Sequence, residues 1–125
     1  MTDSYDDNNI FARILRDEIP NDTVLEDAHV LSFRDINPQR PVHALVIPKA
    51  PHRDLTSFAE NASDAEIVAF VRALGKVARD IGVADDGYRV ICNTGENGHQ
   101  EVPHLHFHLV GGGPTGPMLR RQDND

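Results

Sequence analysis

Three histidines alternate with apolar residues in His104-Leu105-His106-Phe107-His108-Leu109-Val110, and Gly111-Gly112-Gly113 follows at once. Successive side chains of an extended strand point to opposite faces. The spacing therefore predicts a row of imidazoles on one face, with Leu105, Phe107 and Leu109 turned into the core on the other. A face meant only for solvent would use Thr, Lys or Glu, so three titratable rings point to a site. Two chemistries are open to it. Imidazoles two residues apart on a strand can place their nitrogens on one metal ion. Alternatively, one neutral imidazole attacks phosphorus while its neighbours donate N–H bonds to the phosphoryl oxygens and the leaving group. Zinc would call for further carboxylates, and Glu101 and Asp35 are available. Phosphorus would call for an anion-holding loop and a ribose-binding acid, and Asn97-Gly98-His99-Gln100-Glu101 and Asp35 fit that description.

Composition narrows the partners. A chain of 125 residues with 39% hydrophobic content suits one domain with one core. A net charge of −8 and a pI near 5.2 disfavour nucleic acid and anionic membranes, which want a basic patch. A small phosphate compound can still bind where histidines and backbone N–H groups supply local donors. The single Cys92 leaves no internal disulfide and no Cys-rich zinc site, and fits a reducing compartment. No apolar run approaches the roughly 20 residues that span a bilayer. Met1 to Asn9 is acidic and polar, unlike a secretory leader, so a cytoplasmic placement is expected.

The elements that must carry the histidines follow from periodicity. Ile10, Phe11, Ile14 and Leu15 recur at helical spacing and predict a short helix from about Asn9 to Asp17, stopped before Pro20. Thr23–Glu26 and His29–Phe33 read as two strands turning at Asp27-Ala28, and Val42–Ile47 as a central strand. Leu55–Phe58 suggests a single helical turn. Ser63-Asp64-Ala65-Glu66 reads as a capping box, with Glu66 reaching back to the cap. It opens one long helix with an apolar stripe at Ile67, Val71, Leu74, Ala78 and Ile81, ended by Gly82. Tyr88–Asn93 is a further strand. The expected fold is α+β: an antiparallel sheet of about five strands with one long helix and a short N-terminal one. His29 and His52 are expected at the surface, and Cys92 in the core.

Together these residues resemble the histidine triad (HIT) family. His104–Val110 is similar to its His-x-His-x-His-x-x motif with apolar x, and other stretches look like its histidine-triad nucleotide-binding (Hint) branch. Those stretches are Phe11–Pro20, Phe33-Arg34-Asp35-Ile36-Asn37-Pro38, Pro41–Lys49, Gly87-Tyr88-Arg89 and Asn93. The resemblance implies a HIT domain over residues 10–118, between flexible ends at 1–9 and 119–125.

It also implies roles. His106 would attack the α-phosphorus of a purine nucleoside 5′-phosphoramidate, and water would then release the monophosphate from a nucleotidyl-histidine. His108 would hold phosphate oxygens and assist the leaving group, with His104 and His43 supporting the nucleophile from behind. Asp35 would accept the ribose hydroxyls; Phe33, Ile36, Phe11 and Ile19 would form the base slot. Ile10 and Ile14 match that slot too, although core packing accounts for them better. Asn93, Gln100 and Glu101 would meet the phosphate end. His99 stands where the branch usually has Gly. The family further implies a homodimer joined edge to edge, and neither metal nor cofactor. Rival readings are a dinucleoside polyphosphate hydrolase, a non-catalytic nucleotide binder, and a zinc protein that uses the triad as ligands.

Overall fold

The computed structural model describes residues 4–122. Its five strands form one antiparallel sheet: β1 (Thr23–Glu26), β2 (Val30–Arg34), β3 (Val42–Pro48), β4 (Tyr88–Cys92) and β5 (Phe107–Gly111), in the order β1-β2-β3-β5-β4. Helices α1 (Ile10–Leu15), α2 (Leu55–Asn61) and α3 (Asp64–Asp80) complete the α+β architecture. β3 is paired on both sides, which suits its apolar sequence, whereas β1 and β4 are the edges.

The period of two decides what each face meets. On one face Val30, Ala44, Val46 and Leu109 pack with Phe70, Ala73 and Val77 of α3. On the other, Leu31, Phe33, Leu45 and Ile47 pack with Phe11 and Ile14 of α1. His43 and His108 take the face of Leu45, placed by the register His43↔Val110 and Leu45↔His108. The long helix thus supports the sheet from behind, and the short one builds the site in front.

Several expectations are corrected. The triad is not one continuous strand: β5 begins at Phe107, and His104 to His106 lie in the bend ahead of it. Pro103 has no N–H for a ladder. The amides beyond it bond elsewhere, His104 N–H to Val102 O at 2.9 Å and Leu105 N–H to His52 O at 2.8 Å. Leu55–Asn61 makes a helix of 7 residues rather than one turn, N-capped by Asp54. Ser63 caps α3 as expected, its Oγ accepting the Glu66 amide at 3.2 Å, but the Glu66 carboxylate turns to His52 instead of the cap. Val71 is 61% exposed; the buried stripe runs through Phe70, Ala73, Val77 and Ala78. Packing also begins ahead of residue 10. Asn9 is buried, its side chain accepting the Ala12 amide at 2.9 Å, and Tyr5 reaches His104. Residues 1–3 and 123–125, the outermost parts of the expected flexible ends, lie outside the described residues.

Candidate active site

A cleft of about 540 Å³ opens between α1, the end of β2 and the start of β5. Ile10, Phe11, Ile14, Ile19, Phe33 and Leu45 line its apolar end. Asp35, Ile36, Asn37 and Gln39 form one wall, and Asn93, His99, Glu101, His106 and His108 lie at the polar end. A half-apolar cleft of this size with convergent polar groups suits one small ligand.

The histidine tautomers follow from their partners, because a neutral imidazole has one donor and one acceptor. His104 is fully buried; its Nε2 donates to Pro48 O at 2.8 Å, which leaves Nδ1 to accept the Tyr5 hydroxyl. His106 Nδ1 donates to the backbone carbonyl of His104 at 2.7 Å. The lone pair of His106 is therefore on Nε2, on a ring bordering the cleft. His43 Nδ1 accepts the Gln39 amide at 3.1 Å, so His43 carries its proton on Nε2 and gives it to His108 Nδ1 at 3.0 Å. His108 in turn carries its proton on Nε2. The two cleft histidines thus differ: His106 presents a lone pair and His108 a donor. Their rings lie 5.2 Å apart, and the Phe11 ring meets that of His106 at 5.0 Å in a T-shaped contact.

Burial keeps these rings neutral. It pushes His104 down to about 4, and His108 also to about 4 with help from its histidine neighbours. His106 is lowered by burial as well, against the pull of its bond to the His104 carbonyl and of Asp35 and Glu101. His43 is lowered by burial against Asp35.

Asp35, His43 and His108 bring one potential ligand atom each within 4.8 Å of one another, as a divalent ion would need. The hydrogen bonds speak against that use. With the Gln39 amide on Nδ1, His43 Nε2 bears a proton and has no lone pair to give a metal.

The predicted residues divide clearly. His106, His108, Asp35, Phe33, Ile36, Phe11, Ile19, Asn93 and Glu101 all line the cleft. Ile36 is 87% exposed and forms rim rather than slot. Ile10, expected in the core, is 44% exposed and lines the cleft. Asp35 makes a turn and faces the site at once: Oδ1 accepts the Asn37 amide at 2.8 Å, and Oδ2 lies 3.4 Å from His43 Nε2. His43 supports His108 rather than His106, because the diagonal across β3 and β5 brings those two rings together.

Gln100 does not line the cleft. Its amide donates to Arg53 O at 2.8 Å and Val102 O at 3.0 Å, and its oxygen accepts the Gly95 amide, so it clamps the loop. Within that loop a Cβ on Gly98 would sit 2.3 Å from Thr94 O, against rigid backbone. His99 follows in the left-handed region at φ 60°, its ring 3.2 Å from Glu101 at the mouth. His52 is not a surface residue. Its ring packs on Phe58 and bonds Glu66 at 2.8 Å, while its carbonyl anchors Leu105.

Tyr5 and the Gln39 amide were not foreseen. The signal for Tyr5 was an aromatic residue within an otherwise polar, acidic stretch.

The HIT domain profile matches residues 16–115. The chain is 53% identical over 121 residues to an uncharacterised HIT-like protein of Azospirillum brasilense, covering 97% of this chain and 99% of that one. It is 44% identical over 110 residues to the purine nucleoside phosphoramidase of Escherichia coli K12, covering 88% and 92% respectively. A HIT family hydrolase from Legionella pneumophila superposes with a TM-score of 0.79 at 39% identity, over 87% of this chain and 96% of that one.

Proposed function

The chain belongs to the HIT family, and from that premise we propose that it hydrolyses purine nucleoside 5′-phosphoramidates. One observation carries the reading: His106 and His108 border one cleft with opposite tautomers, a lone pair beside a donor. The Escherichia coli relative's activity and the Legionella pneumophila neighbour's description as a hydrolase support the reaction class.

His106 Nε2 attacks the α-phosphorus as the P–N bond breaks. The electron pair goes to nitrogen, which takes a proton from water at the open mouth. The His108 Nε2–H donates a hydrogen bond to a phosphoryl oxygen where charge develops. Nucleotidylation makes the His106 ring cationic, which strengthens its Nδ1–H bond to the His104 carbonyl. Water then attacks phosphorus and gives its proton to the hydroxide left when the amine was protonated, the P–Nε2 bond breaks, and its electron pair returns to His106. The products are the nucleoside monophosphate and the free amine. Asp35 accepts the ribose hydroxyls, Phe33, Phe11 and Ile19 enclose the base, and Asn93 meets the phosphate end. Glu101, which is 77% exposed, faces the departing amine.

Two further parts of the reading concern the chain's surroundings. The edge strand β4 leaves Tyr88, Val90 and Ile91 between 37% and 41% exposed, which supports a homodimer joined along that edge. The lone Cys92 supports a cytoplasmic setting. Among the described residues no helix is long and apolar enough to cross a membrane.

The deciding experiment supplies an adenosine phosphoramidate bearing a fluorescent amine, with and without chelator. Amine release that survives chelation, with a nucleotidyl mass trapped on His106, is the expected result. Binding without release would make the protein a nucleotide binder. Loss of release with removal of stoichiometric zinc would make it a metalloprotein.

A further inference from the structure

The carbonyl that orients His106 belongs to His104, which lies in a bend where no sheet ladder fixes the backbone. Its backbone is tethered by the His104 amide on Val102 O and the Leu105 amide on His52 O, and its side chain adds to that hold. Its ring is gripped at both nitrogens, Nε2 by Pro48 O and Nδ1 by the Tyr5 hydroxyl. The Tyr5 ring also meets the imidazole edge-on at 5.6 Å. The geometry points to Tyr5 as a positioning residue for the triad: its hydroxyl, donated to His104 Nδ1, immobilises the residue whose carbonyl aims the nucleophile. Burial raises the Tyr5 pKa, against a hydrogen bond from the Asn9 side chain, so the hydroxyl stays protonated and able to donate. Asn9 also caps α1, the helix that carries Phe11 onto the His106 ring. The segment ahead of α1 therefore locks the base slot and the nucleophile's support together.

The kinetic arm of the test rests on the proposed hydrolysis; the spectroscopic arm does not. Tyr5→Phe in the full chain keeps the ring and its packing and removes only the donor. Tyr5→Phe is expected to lower kcat about three- to tenfold, as loss of one hydrogen bond to a buried acceptor would, with KM changed less than about twofold. In ¹⁵N spectra of labelled histidine, wild-type His104 is expected to show a protonated Nε2 and a hydrogen-bonded Nδ1. In Tyr5→Phe the Nδ1 resonance should move towards that of an unbonded imine nitrogen. An unchanged kcat overturns the proposal, and so does a lowered kcat with His104 resonances unmoved. If the wild-type protein releases no amine, the proposed function fails. The His104 resonances then decide whether Tyr5 grips the ring.

Discussion

His43 Nε2 lies 3.0 Å from His108 Nδ1, and a backbone amide on the far side of the His43 ring dictates which of the two donates. That orders the protons before any substrate arrives. His43→Ala and His108→Ala should each slow turnover, and the double variant should be far less impaired than the product of the two. The expected coupling is about 1 kcal/mol or more, read from kcat/KM in a double-mutant cycle. Strict additivity would mean that the two rings act independently.

His106→Gly should lose several powers of ten in kcat, at about 1.4 kcal/mol of barrier per tenfold, while still binding nucleoside monophosphate. Calorimetric titration with AMP alongside single-turnover assays separates the two effects. Retention of more than about a tenth of the wild-type kcat would remove His106 from the reaction.

Asp35 is committed to the Asn37 amide through one oxygen and faces His43 with the other, yet each carboxylate oxygen has a second lone pair. A hydrogen bond to a charged group is worth roughly 1.5–3 kcal/mol, so the 2′-deoxy substrate should show a clearly lower kcat/KM. That preference should shrink in Asp35→Ala. If the variant loses both substrates equally, the carboxylate serves only the turn.

Acid should act twice, through separable readouts. Burial lowers His106, so the acid limb of kcat/KM should lie below the ordinary imidazole value near 6.5. Glu101→Gln removes a negative charge that raises His106, so the limb should stay or move to lower pH; its disappearance would assign the ionisation to the carboxylate. For stability, His104 titrates at about 4 folded against 6.5 unfolded, so the unfolded chain binds the proton first as pH falls. Stability is then lost between those two values and levels off below the lower, by on the order of 3 kcal/mol for this one ring. Denaturant melts across that range should show the slope, and His104→Asn should reduce it.

Much of the fold was legible because its signals are local. Short apolar runs bounded by turn residues placed β2 and β3, Ser63 marked the start of α3, and Gly82 its end. The cleft residues were legible through motif resemblance, which carried Asp35, Asn93 and His106 to one place although they lie far apart in the chain. What escaped depends on contacts that no local pattern encodes. The strand inferred from alternating histidines starts only at Phe107, because alternation says nothing of where the amides of residues 104 and 105 bond. Glu66 fitted a capping box, yet the half-buried imidazole of His52, 14 residues earlier, took its carboxylate instead. Gln100 sat beside phosphate-facing positions, but its amide is used up by the backbone of residues 53, 95 and 102. Tyr5 lies 99 positions from its acceptor, and only the folded chain joins them.

Gly98 limits how this mouth could be redesigned. With Thr94 O only 2.3 Å from any added Cβ, another residue type there would force the backbone of the loop to shift. If the proposed hydrolysis holds, variation in the departing amine is accommodated more readily at positions 99 and 101, which line the same cleft. Position 99 already bears a burden, since a side chain at φ 60° costs roughly 1–2 kcal/mol that glycine would not incur. An engineer seeking bulkier amines would exchange His99 for Gly, gaining both room and a relaxed backbone, and would retune the charge at Glu101 separately.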